Sequence, residues 1–146
     1  MLLHRSESLT FFTPDHFSNI DIPFFDTGIS AGFPSPAEDF KQQRLSLDRE
    51  LIKNKEATFF ARVSGQSMIG AGLDDNDLLV IDRSINPTHN KIAVCFLDGE
   101  FTVKRLKMSD GELWLQPENP SYQPIKITKE NNFVIWGIVT NVIKRV

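Results

Sequence analysis

From residue 58 onward, apolar side chains recur at every second position, and that period commits most of the chain to β-strands. Runs over 58–64, 77–82, 91–97, 100–108, 112–116, 125–128 and 133–146 carry it and are predicted strands. Asp98-Gly99 and Asp110-Gly111 fall between consecutive runs as tight-hairpin signals, so the runs they join form a meander. The last run is apolar on both faces, Phe133, Ile135 and Val139 alternating with Val134, Trp136 and Ile138. Such a strand is expected to be buried on both sides. The predicted fold is mainly β.

Up to about Phe40 the pattern breaks. Pro14, Pro23, Pro34 and Pro36 punctuate it, and Gly28 and Gly32 bracket Ile29-Ser30-Ala31, which reads as an extended arm with flexible joints. One helix is predicted, over 45–53. Ser46 is its N-cap candidate, Asp48 and Glu50 lie near its start and Lys53 near its end, and Leu47 and Leu51 share a face.

The 146 residues are one domain's worth of chain. Their net charge of −3 argues against a protein held to nucleic acid by bulk positive charge, which needs clustered Lys and Arg. All of that charge sits ahead of Gly32, where Arg5 stands against Glu7, Asp15, Asp21 and Asp26. The same stretch holds Phe11, Phe12, Phe17, Phe24 and Phe25, so this acidic yet aromatic arm is expected to lie against something apolar. No amino-terminal run matches the apolar core of a secretory signal, and no stretch approaches the roughly 18 apolar residues of a membrane span. Cys95 is the only cysteine, so no disulfide can form within the chain. A cytoplasmic protein without membrane attachment is expected.

His4, His16 and His89 show no metal-ligand spacing, and neither a metal nor a cofactor is expected. Cys95 stands mid-strand between Val94 and Phe96, the setting of a small buried hydrophobe. As a nucleophile it would have only His89 nearby in sequence as a base. In Val63-Ser64-Gly65-Gln66-Ser67-Met68 a strand ends in a turn that presents Ser67 just ahead of Met68 and Ile69. Gly70 and Gly72 leave room for another chain to approach closely. Ser67 is then either the cap of a short helical turn or a nucleophile.

A serine hydroxyl attacks only when a base takes its proton. Lys104, on a strand face shared with Thr102 and Leu106, can be that base if it is neutral. Its pKa must then fall from about 10.4 to roughly 7–8, and burial among apolar side chains works in that direction. The other role for Lys104 is an edge-strand charge that keeps the sheet soluble. Periodicity leaves both open.

At these residues the chain resembles the UmuD branch of the LexA-like self-cleaving serine peptidases. Ser64-Gly65-Gln66-Ser67-Met68 is similar to that family's serine motif. Asp98-Gly99-Glu100-Phe101-Thr102-Val103-Lys104 is similar to its lysine motif, with Lys104 placed 37 residues after Ser67. Leu115-Gln116-Pro117-Glu118-Asn119-Pro120-Ser121-Tyr122-Gln123-Pro124 resembles a loop signature of the family, and Ala31-Gly32-Phe33-Pro34-Ser35-Pro36-Ala37 resembles its self-cleavage site with the segment that follows. Two departures stand out: Gln66 where the branch often has Asp, and Ala31 where its best-known member has Cys. Neither removes a catalytic group.

The resemblance implies a LexA- and signal-peptidase-like twisted β-sheet body with one short helix and an extended N-terminal arm. It divides the chain into an arm over 1–31, a linker over 32–44 and a peptidase domain over 45–146. It implies Ser67 as nucleophile, Lys104 as general base, the Ser67 backbone N–H as an oxyanion donor and Ala31–Gly32 as the bond that is cut. It further implies a homodimer, stimulation of the cut by a RecA filament on single-stranded DNA, and a cleaved form that serves a Y-family polymerase in error-prone synthesis across DNA damage. No room is left ahead of Gly32 for a helix-turn-helix domain, so direct operator binding is not expected.

Two other functions are compatible with the same residues. One is a signal-peptidase-like enzyme that uses the Ser–Lys pair on other proteins, which the missing membrane anchor opposes. The other is a non-catalytic dimeric β-scaffold with Lys104 exposed. In the self-cleaving case, losing the arm would remove its charge and uncover apolar surface in one step.

Overall fold

The computed structural model describes residues 2–5, 9–14, 22–25 and 42–146. Its strands are β1 (Leu2–Arg5), β2 (Leu9–Phe12), β3 (Ile22–Phe25), β4 (Gln42–Leu45), β5 (Thr58–Val63), β6 (Leu78–Asp82), β7 (Ile92–Leu97), β8 (Glu100–Ser109), β9 (Glu112–Gln116), β10 (Ile125–Lys126) and β11 (Phe133–Ile143). The chain divides into two units, Met1–Asp15 with Asn54–Val146, and His16–Lys53. In the first, one curled antiparallel sheet has the order β1-β2-β5-β6-β11-β7-β8-β9-β10. In the second, β3 and β4 pair as a two-stranded ribbon and lead into the helix α1 (Leu47–Leu51).

The mainly β expectation holds, and so does the meander. β7, β8 and β9 are consecutive neighbours. Asp98, Gly99, Asp110 and Gly111 all have positive φ, as two-residue hairpin turns matching the right-handed twist of the strands require. β11 lies between β6 and β7, and its side chains serve both apolar clusters of the sheet, Trp136 and Val139 packing against one and Phe133, Ile135 and Ile138 belonging to the other. Burial on both sides holds only in mid-strand, because Val134, Val142 and Ile143 are exposed. β11 also stops at Ile143, short of the predicted 146.

The helix is shorter than 45–53, because residues 42–45 are taken up in pairing with β3. Ser46 does occupy the N-cap position, with extended backbone, but its side chain makes no capping bond. Three stretches read from sequence as irregular arm are strands. β2 pairs with β5, setting Leu9 opposite Val63 and Phe11 opposite Ala61, so that β1 and β2 extend the sheet. A four-residue strand carries too little alternation to stand out beside Pro14 and its neighbours. Leu9 and Phe11 are only 1% and 2% exposed, which meets the expectation that this part of the arm lies against apolar surface.

Alternation along the sheet divides the buried side chains into two clusters. Val94 joins Leu79, Ile81 and Val103 in one, whereas Ala93 and Cys95 join Leu106, Leu115 and Ile138 in the other. Phe11 belongs to the first, its ring 4.8 Å from Phe101 and 4.9 Å from Trp136 between centroids. No helix among the described residues is long and apolar enough to cross a membrane.

Candidate active site

Lys104 lies mid-way along β8, which has β7 on one side and β9 on the other. Lys104 itself pairs with Ala93 of β7, and the β9 ladder begins one residue on, at Arg105, so it is burial that sets it apart from a solvated edge charge. It is 7% exposed, and burial holds its pKa below the usual lysine range, with a smaller opposing influence from the Cys95 thiol on β7. Its Nζ bonds Thr102 Oγ1 at 2.6 Å, Val103 O at 3.1 Å and Ser67 Oγ at 3.2 Å. A neutral amine has two N–H donors and one lone pair, so three partners suffice. Val103 O can only accept, whereas the Thr102 and Ser67 hydroxyls can each accept from the amine or donate to it.

Ser67 stands in the turn that follows β5, and four bonds fix that turn from outside. Gly65 N–H donates to Asp75 Oδ1 at 2.9 Å, Asn119 Nδ2 to Gln66 O at 2.9 Å, Glu118 N–H to Ser67 O at 2.9 Å and Gly70 N–H to Glu118 O at 2.7 Å. The Met68 side chain anchors the turn from within at 2% exposure. A Cβ on Gly70 would sit 2.6 Å from Glu118 O, so only glycine admits the loop that leaves β9. The chain segment that approaches this glycine is thus the 117–119 stretch of the same chain.

Beside Ser67 opens a notch of about 30 Å³ walled by Leu9, Val63, Met68, Leu73 and Val103. A cavity that holds benzene is about 150 Å³, so this one suits a methyl group and little more.

The structure brings Ser67 and Lys104 together, whereas Ala31 and Gly32 lie outside the described residues. Cys95 is buried, and that burial pushes its thiol pKa up to about 12, which suits a core residue and not a nucleophile. His89 Nδ1 accepts the Met108 N–H at 2.9 Å, a structural role. Three residues were missed as functional. Thr102 was placed on the Lys104 face by period two, but its bond to the amine is visible only in three dimensions. Glu118 and Asn119 belong to the loop signature, yet nothing local says that this loop grips the Ser67 turn.

Residues 23–140 match the family described as Peptidase S24-like. Over 129 residues the chain is 43% identical to Protein ImpA of Salmonella typhimurium, an alignment covering 84% of this chain and 83% of that protein. Protein MucA of Escherichia coli is 43% identical over 121 residues, covering 82% of each chain. A LexA repressor from Acidithiobacillus ferrooxidans is 34% identical over 119 residues, 80% of this chain and 58% of that protein.

Proposed function

The chain belongs to the Peptidase S24-like family, as a UmuD-type, LexA-like protein, and from that membership we propose that it is a serine peptidase that cuts its own Ala31–Gly32 bond. The observation that carries this reading is the Ser67 hydroxyl 3.2 Å from the amine of a buried lysine whose pKa is lowered. Neutral Lys104 takes the Ser67 proton as Oγ attacks the Ala31 carbonyl carbon. The Ser67 N–H stabilises the oxyanion that forms. Collapse breaks the bond to Gly32, whose nitrogen receives the proton back from Lys104, and water then releases residue 31 from the Ser67 ester. The methyl-sized notch supports alanine on the acyl side of the bond.

On this reading residues 1–31 are the removable arm, 32–44 a linker and 45–146 the peptidase domain. A RecA filament on single-stranded DNA stimulates the cut in the SOS response to DNA damage. The cleaved homodimer then serves a Y-family polymerase as its accessory subunit, in the cytoplasm. The test is to incubate the full chain at alkaline pH, and separately with a RecA–ssDNA–nucleotide filament. The expected product is a fragment starting at Gly32, absent from Ser67→Ala and Lys104→Ala chains. No such fragment, or its formation by Ser67→Ala, overturns the reading. Cutting of a separate protein bearing an Ala–Gly site, without self-cleavage, would favour action in trans.

A further inference from the structure

Resting on that reading, we propose that Glu118 is a positioning residue, tying the Ser67 turn to the strand that carries Lys104 and so setting the separation of hydroxyl and amine. Three bonds converge on it. Its N–H donates to Ser67 O at 2.9 Å, its carbonyl accepts the Gly70 N–H at 2.7 Å, and its Oε1 accepts Arg105 Nε at 2.5 Å. The first two hold the turn. The third holds β8 at the residue next to Lys104. Arg105 is itself braced, because its Nη1 donates to Asn90 O at 2.7 Å. Glu118 therefore spans the two elements whose spacing the chemistry requires, and Asn119 adds a bond from the same loop to Gln66 O.

The spacing leaves little slack. At 3.2 Å the Ser67–Lys104 contact lies at the far end of the range for a hydrogen bond to nitrogen, roughly 2.7–3.2 Å. A turn that drifts further loses the bond and lets water reach the amine. The Glu118–Arg105 pair is partly exposed, at 30% and 26% for the two side chains, and pairs of that kind add little to stability. Its removal should therefore slow the reaction far more than it loosens the fold.

The experiment compares the full chain with Glu118→Gln, Arg105→Gln and the reversed pair Arg105→Glu with Glu118→Arg. It measures first-order self-cleavage at alkaline pH without activator, the melting temperature, and the pH midpoint of Lys104 reactivity toward an acylating reagent. The groups facing that amine are Ser67 from the turn, Thr102 on β8 and Cys95 on β7. Each single substitution is expected to slow cleavage on the order of tenfold to a hundredfold, to leave the melting temperature near the parent's and to move the Lys104 midpoint upward. The reversed pair is expected to recover most of the rate. Arg105→Gln breaks the pair without touching the loop, so it decides the matter if Glu118→Gln does not fold. Parental rates in both single variants overturn the proposal. So does a rate loss that follows a lowered melting temperature with the Lys104 midpoint unmoved. A parent chain that never cuts itself would overturn the peptidase reading alone, and the Lys104 midpoint would still decide the role of Glu118.

Discussion

As the proposed base, Lys104 meets two demands that oppose each other. To take a proton from Ser67 it must be neutral near physiological pH, and burial on an interior strand moves it that way. The same burial makes its charged form costly to the fold. Because its folded pKa lies below its unfolded one, the unfolded chain binds more protons between the two values. Stability from this group is therefore diminished at neutral pH and rises toward the ordinary lysine value of about 10.4. Self-cleavage should rise below that range, by about tenfold per pH unit until the folded amine is deprotonated, and level off where the stability gain begins. Lys104→Met should then be more stable than the parent at pH 7, with the difference shrinking toward pH 10. Urea melts at the two pH values check this, and a constant difference would contradict it. Period two was enough to put Lys104 beside Thr102 and Leu106. It could not tell an interior strand from an edge, because that depends on which strands pair on either side.

The turn that bears Ser67 works as an element only together with the loop after β9. Gly70 is where the two touch. An alanine there would bring its Cβ within 2.6 Å of a backbone oxygen that also accepts the Gly70 N–H at 2.7 Å, so neither side can yield without breaking that bond. Gly70→Ala should cost about 1–3 kcal/mol of stability, as overpacking does elsewhere, and should nearly abolish self-cleavage by shifting Ser67. Denaturant midpoints and the fragment assay check the two effects independently. The sequence marks Gly70 and Gly72 alike as room for a close approach; Gly70 has that neighbour, whereas Gly72 faces open space and serves its positive φ. What comes close is a segment nearly fifty positions away, and no local pattern carries that pairing. The hairpins are the opposite case: Asp98-Gly99 and Asp110-Gly111 were legible at once because their whole geometry is decided by two adjacent residues.

Across the molecule, the stretch ahead of Gly32 is less of an appendage than its composition suggests. Its phenylalanines announced an apolar resting place, but not that β2 would take a position in the sheet and send Phe11 into the main core. Phe11→Ala should cost about 3–5 kcal/mol, a loss read from thermal or urea unfolding, whereas a freely mobile arm would tolerate it.

The pairing of β2 with β5 and of β3 with β4 bears on what a cut at Ala31–Gly32 would achieve. Each of these ladders joins a strand upstream of that bond to one downstream of it. Hydrolysis would turn one chain into a two-component complex, still assembled strand by strand. Departure of the small piece would then be a dissociation with its own equilibrium constant, sensitive to dilution and to any competitor for the same sheet edge.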